Sequence, residues 1–201
     1  TEELQEAMRF VFGNGGHGIY SKTMEILGGI IQKAIGGNAN GNTCTGGSGI
    51  HSDGTLTISG GTITEATGGT GGAGIGSGSN SSTATTINII GGTIKNATGT
   101  DGGAGIGSGY IGGSSTVNIS GDAELKDVRG GNLAAGIGSG YDTGAGIGGS
   151  YSGDSSKITI TGGTITANGT GEAPAIGGGS VSISNADAPL DITATAPDAA
   201  N

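Results

Sequence analysis

One heptapeptide, Gly-Ala-Gly-Ile-Gly-Ser-Gly, occurs at residues 72–78 and again at 103–109, with a near copy at 135–140 and shorter echoes at 144–149 and 174–179. Its isoleucines Ile75, Ile106 and Ile137 fall 31 residues apart. A fixed period of this length marks a chain built from stacked supersecondary units, none of which buries its own apolar face alone. That constraint comes before any reading of local propensity.

The grammar extends in both directions. Ile19 precedes Met24-Glu25-Ile26, Ile50 precedes Leu56-Thr57-Ile58, and Ile75 leads to Ile87-Asn88-Ile89. Ile106 leads to Val117-Asn118-Ile119, Ile137 to Ile158-Thr159-Ile160, and Ile176 to Val181-Ser182-Ile183. The alternation in each second segment puts the apolar residues inward and the polar one outward. A third segment follows a Gly-Gly bend, as in Gly91-Gly92-Thr93-Ile94-Lys95. The pairs at 60–61, 91–92 and 162–163 supply corner conformations that other residues resist. Three short strands per turn of roughly 30 residues describe an all-β parallel β-helix, with coils stacked at about 4.8 Å. Counting the isoleucines predicts about six coils. The motif itself then forms one wall, with isoleucine and alanine inside and a column of Ser21, Ser52, Ser77, Ser108 and Ser139 whose hydroxyls can hydrogen-bond along the axis.

The expected organisation is a capping helix over 1–12, a solenoid over 13–190 and a tail or linker over 191–201. Thr1 can cap the helix, Glu2 and Glu3 suit its N-terminal end, and Leu4, Met8 and Val11 follow helical spacing. Such a helix covers the open first coil. The repeat breaks between Gly140 and Ser156, which reads as an excursion from the coil.

Fifty glycines would suggest a disordered chain but for the register of the isoleucines. A net charge of −9, from 7 basic and 16 acidic residues, argues against nucleic acid as a partner. No apolar run reaches the roughly 18 residues of a membrane span, so membrane insertion is not expected. No signal-peptide pattern opens the chain, which starts at Thr1 as a processed or excised piece would. The single cysteine, Cys44, excludes an internal disulfide and a cysteine-cluster metal site.

Chemistry-bearing motifs are sparse. Residues 107–112 match G-x-G-x-x-G, but a strand follows rather than a helix, so a phosphate would find no helix N-terminus. His51-Ser52-Asp53 are adjacent, whereas a catalytic triad meets in space, and they read as surface residues. Glu65 and Asp127 occupy one outward column two coils apart, a separation compatible with an inverting glycosidase. Lys95 and Lys126 lie beside them, which favours a solvated charged face. Threonines such as Thr57, Thr62, Thr93 and Thr164 raise ice binding, but Lys95, Glu124 and Lys126 interrupt their ranks. The scarce aromatics carry more information. Tyr110 and Tyr141 follow Gly-Ser-Gly in successive coils, and Tyr151 follows the short copy. Exposed rings of this kind stack on sugars. Asp142 and Asp154 lie nearby and could bind sugar hydroxyls, or Ca²⁺ through carboxylate and carbonyl oxygens.

The repeated Gly-Gly-Thr-Ile-Thr and Gly-Ala-Gly-Ile-Gly units resemble the glycine-rich right-handed parallel β-helix domains of bacterial surface proteins, often described as carbohydrate-binding, which are relatives in shape of the pectate-lyase-like fold. The resemblance covers residues 13–190. It implies a non-catalytic, extracellular carbohydrate-binding or adhesive module, secreted or on the cell surface. Its ligand would be a polysaccharide or glycan, with Tyr110, Tyr141, Tyr151, Asp142 and Asp154 as the ligand-binding residues. The lyase-like enzymes carry catalytic Asp, Arg or Lys on a solenoid face, and no position here matches such a motif. A structural stalk or surface-fibre segment is the second expectation, and a polysaccharide lyase or glycoside hydrolase fragment the third. Self-association through the solenoid ends, or contact with neighbouring domains, is the expected mode of assembly.

Overall fold

A computed structural model of the 201-residue chain describes residues 15–39, 45–132, 136–138, 157–170, 174–177 and 180–196. Among them the chain is all-β, a parallel β-solenoid of about five turns that contains no helix. The expected cap over 1–12 and the excursion between Gly140 and Ser156 lie outside the described residues.

Each turn visits three sheets. The first is assembled from β1 (Ile19–Ser21), β5 (Ile50–Ser52), β9 (Ile75–Gly76), β13 (Ile106–Gly107) and β16 (Ile137–Gly138), in that order. The second runs β2 (Met24–Ile26), β6 (Thr55–Ile58), β10 (Thr85–Ile89), β14 (Ser115–Ile119), β17 (Lys157–Ile160) and β19 (Ser180–Ile183). The third begins as pairs of short strands: β3 (Ile30–Ile31) with β4 (Ala34–Ile35), β7 (Thr62–Ile63) with β8 (Ala66–Thr67), and β11 (Thr93–Ile94) with β12 (Ala97–Thr98). It continues as single strands β15 (Glu124–Arg129), β18 (Gly163–Asn168) and β20 (Leu190–Thr195).

The paired strands depart from the expected three per coil, and the reason lies in the spacing of inward residues. Two residues, Thr64 and Glu65, separate the inward Ile63 from the inward Ala66, which breaks simple alternation; the strand is interrupted there, whereas β15 carries the same spacing between Leu125 and Val128 as one strand. In β18 only Thr166 separates Ile165 from Ala167, alternation is restored, and one strand suffices. The mismatch between the two spacings appears as a bulge where β15 meets β18. β20 pairs along the whole of β18, so residues 191–195 belong to the third sheet rather than to a tail.

All the strand pairs are parallel and, apart from the bulge between β15 and β18, in register, so side chains stack in columns. Ile50, Ile75, Ile106 and Ile137 form the apolar column of the first sheet. Leu56, Ile87, Val117 and Ile158 form one column of the second sheet, and Ile58, Ile89, Ile119 and Ile160 another. Ile63, Ile94, Leu125 and Ile165 line the third. All are buried in one continuous core. Ala66, Ala97 and Ala167 take the tighter positions beside them.

Glycine is required where coils approach most closely. Gly76 has φ +136°, and a Cβ there would lie 1.8 Å from the carbonyl oxygen of Gly107 in the next coil. At the corners, the second glycine of each Gly-Gly pair, Gly61, Gly92 and Gly163, has positive φ, as the sequence led us to expect. Buried serines tie this wall together. Ser52 Oγ donates to the Lys22 carbonyl one coil away at 2.9 Å, and Ser77 Oγ accepts the Gly109 amide at 3.0 Å. These two bonds run along the axis, to backbone rather than between stacked hydroxyls, whereas Ser108 bonds within its own coil to the Gly113 carbonyl and the Ser115 hydroxyl, and Ser21 to the Thr23 carbonyl. Gly109 is buried, and Ser77 gives its amide a partner there.

Two stability predictions follow from this packing. Gly76→Ala should lower the unfolding free energy by about 2–4 kcal/mol, comparable to Ile106→Ala, which deletes a core side chain. Equal urea midpoints for Gly76→Ala and the parent would remove the steric account. Ile111, in contrast, has φ +47° and is 40% exposed, at the place held by Asn80 one coil earlier. Asparagine tolerates this conformation and a β-branched residue does not. Ile111→Asn should therefore raise stability by about 1 kcal/mol, read from the same urea titration.

Candidate functional site

Among the described residues, a cluster of two histidines, a tyrosine and an aspartate sits at the start of the first sheet. Ile19 pairs with Ile50, so Tyr20 pairs with His51 on the outer face. The next residues in that column are Gly76, Gly107 and Gly138, so the large side chains end after two coils. His17, just before β1, folds over the same face. Its ring stacks on His51 with centroids 4.2 Å apart and on Tyr20 at 5.6 Å, while Tyr20 and His51 stack at 5.7 Å.

Hydrogen bonds lock this three-ring stack. The Tyr20 hydroxyl donates to Asp53 Oδ2, and His51 Nε2 lies 3.1 Å from Asp53 Oδ1. His51 Nδ1 lies 2.7 Å from the Gly76 carbonyl, which can only accept, so Nδ1 carries the hydrogen. His17 Nδ1 instead accepts the Ser48 amide at 2.9 Å, which makes His17 the tautomer protonated on Nε2. His51 is only 2% exposed, and Ser52 is fully buried. This corrects the surface reading of residues 51–53: the stacked rings cover His51, and only Asp53 of the three reaches solvent through its side chain. Tyr20, 52% exposed, presents the open part of the stack.

The electrostatics follow from these contacts. Burial, reinforced by the neighbouring His51, pushes the His17 pKa down to about 4, against a weaker opposing pull from Asp53. The hydrogen bond from Tyr20 holds the Asp53 carboxyl below its ordinary value, and the same bond raises the Tyr20 phenol.

Tyr110, expected to offer a stacking face, is half-buried in the loop that follows β13. Its amide donates to the Gly71 carbonyl at 2.6 Å and its carbonyl accepts from the Asn80 amide at 2.7 Å, tying one coil to the previous one. Tyr141, Asp142, Tyr151 and Asp154 lie outside the described residues. Among the described residues, no group of three or more His, Cys, Asp and Glu side chains is placed to hold a metal ion. Among the described residues, no helix is long and apolar enough to cross a membrane.

The carboxylate column on the third sheet is engaged by partners. Lys33 Nζ lies 3.3 Å from Glu65 Oε2, and Arg129 Nε donates to both oxygens of Asp127 at 2.7 and 2.9 Å. Asn168 Nδ2 adds a third bond to Asp127 at 3.1 Å. Between them Asn96 donates to the Thr64 carbonyl. Asp127 in turn raises the pKa of Arg129.

Neither His17 nor Tyr20 was singled out by the sequence, although a signal was present. His17 and Ser48, like Tyr20 and His51, are 31 residues apart, so the period that aligned the isoleucines also aligns the rings. No family model matches this chain, and comparison with curated proteins and with solved structures gives no match.

The depressed His17 pKa has a consequence for stability. Between pH 6.5 and about 4 the unfolded chain takes up a proton at His17 that the folded chain refuses. The contribution is complete above the unfolded value and is lost as the pH falls through that window. Chemical denaturation at pH 7.5 and pH 5 should show lower stability at pH 5, with a smaller difference in His17→Phe. An equal fall in the variant would show that other groups cause it.

Proposed function

We propose that this chain is a non-catalytic carbohydrate-binding or adhesive β-solenoid module acting outside the cell, wound right-handed as parallel crossovers almost always are. The observation that carries this reading is the exposed Tyr20 ring beside the Asp53 carboxylate on a rigid sheet face. A sugar offers an apolar ring face and a rim of hydroxyls, which an aromatic ring and a carboxylate engage together. Because the site is stacked and hydrogen-bonded beforehand, little ordering would accompany binding. Glycine-rich composition and the resemblance to surface β-helix domains support the setting. The ion-paired Glu65 and Asp127 support a binding role over hydrolysis, since each carboxylate already has a cation beside it.

A structural stalk is the second reading, favoured by the uniform stacking of the coils. A glycan array that includes acidic polysaccharides separates the two. Binding is expected, and Tyr20→Ala or Asp53→Asn should weaken it roughly tenfold, about 1.4 kcal/mol. Tyr110→Ala should have a smaller effect because its ring is half-buried. Absence of binding to any glycan would leave the stalk. Unchanged affinity in a Tyr20→Ala, Asp53→Asn double variant would move the site elsewhere.

A further inference from the structure

The last described coil leaves its inward columns open. Val181 is in register with the buried Ile158, and Ile183 with the buried Ile160, yet they are 42% and 51% exposed. Ala194 continues the Ala167 position and is also exposed, while Ile192, in register with Ile165, is half-buried. Among the described residues, β19 and β20 each pair on one side only.

The opposite end is the complement of this one. Among the described residues, β1, β2, β3 and β4 also pair on one side only. Their inward residues start the same columns: Met24 begins the column that ends in Val181, and Ile26 the one that ends in Ile183. Ile31 and Ala34 begin the columns that end in Ile192 and Ala194. Ile19, Met24 and Ile31 are half-buried rather than buried.

We propose that a second copy of this chain stacks its N-terminal coil on the C-terminal coil, head to tail, continuing the coil spacing across the junction. Met24 would then lie over Val181, Ile26 over Ile183, Ile31 over Ile192 and Ala34 over Ala194. Outward residues meet without like charges opposed: Glu25 over Ser182, Ile30 over Asp191, Ile35 over Thr195. The junction meets the same change of spacing as β15 and β18, two residues between Ile31 and Ala34 against one between Ile192 and Ala194, and would take a bulge of the same kind. Because the two surfaces differ, the contact is heterologous and does not close, so it propagates into a filament. The junction supplies both parallel strand pairing and apolar burial, the two interactions that hold one coil on the next within the chain.

Sedimentation velocity on the full chain tests this. The mean mass should grow with concentration and not stop at a dimer. Val181→Lys with Ile183→Lys should abolish the growth, as should Met24→Lys, and an equimolar mixture of these two variants should form a dimer and nothing larger. Circular dichroism melts check that each variant folds. As a readout independent of the core substitutions, Glu25→Cys and Ser182→Cys, each carrying Cys44→Ser, should form an interchain disulfide only when mixed. Adjacent strand positions lie about 5 Å apart at Cα, within disulfide range. A parent chain that stays monomeric, including through residues 1–14 occupying the N-terminal end, would overturn the proposal. So would dimerisation of Met24→Lys by itself, which would mean a tail-to-tail contact, or no disulfide in the mixed cysteine variants.

Discussion

The structure depends on one constraint: each coil hydrogen-bonds to the next along its backbone, so every side chain sits on its counterpart about 4.8 Å away. Apolar residues in register become a core without any layer packing face to face against another. The same closeness bars side chains from much of the wall. At Gly76 the neighbouring coil's carbonyl occupies the space a Cβ would need. The abundance of glycine is therefore what lets successive backbones come this close, and the isoleucine columns supply the apolar burial that holds them there.

The ring cluster on the first sheet arises from the point where that wall changes character. Tyr20 and His51 occupy a column that glycine takes over from the third coil onward. With no side chain at Gly76, its carbonyl is open to His51 Nδ1, and this bond orients the imidazole toward Asp53. His17 closes over the pair and buries His51, which leaves Tyr20 and Asp53 as the groups that meet solvent. The site is thus a by-product of stacking: one residue in each of two coils, a carboxylate two positions on, and a bare backbone beneath.

Much of this was legible beforehand. The period of 31 identified the solenoid, the alternation in residues 87–89 and 117–119 gave the inward columns, and the Gly-Gly pairs marked corners that the structure places at positive φ. The splitting of the third leg was not read, because two residues between inward positions instead of one is a small change against the background of repeats. The burial of His51 was missed for a different reason. An outward strand position is normally solvated, and only the fold of residues 15–17 over that face covers it. Tyr110 was expected at an open edge, but its backbone ties two coils together and its ring is half-buried.

Sequence alone determined which residues face inward, because a period repeated coil after coil leaves a single register in which all the isoleucines coincide. Tertiary structure decided which outward residues become partners. Histidine, tyrosine and aspartate can each remain solvated at no great cost, so nothing in their local pattern commits them to one another. Stacking at the coil spacing brings Tyr20 beside His51, and the loop bearing His17 buries the His51 ring in a hydrogen-bonded stack that Tyr20 leaves open to solvent.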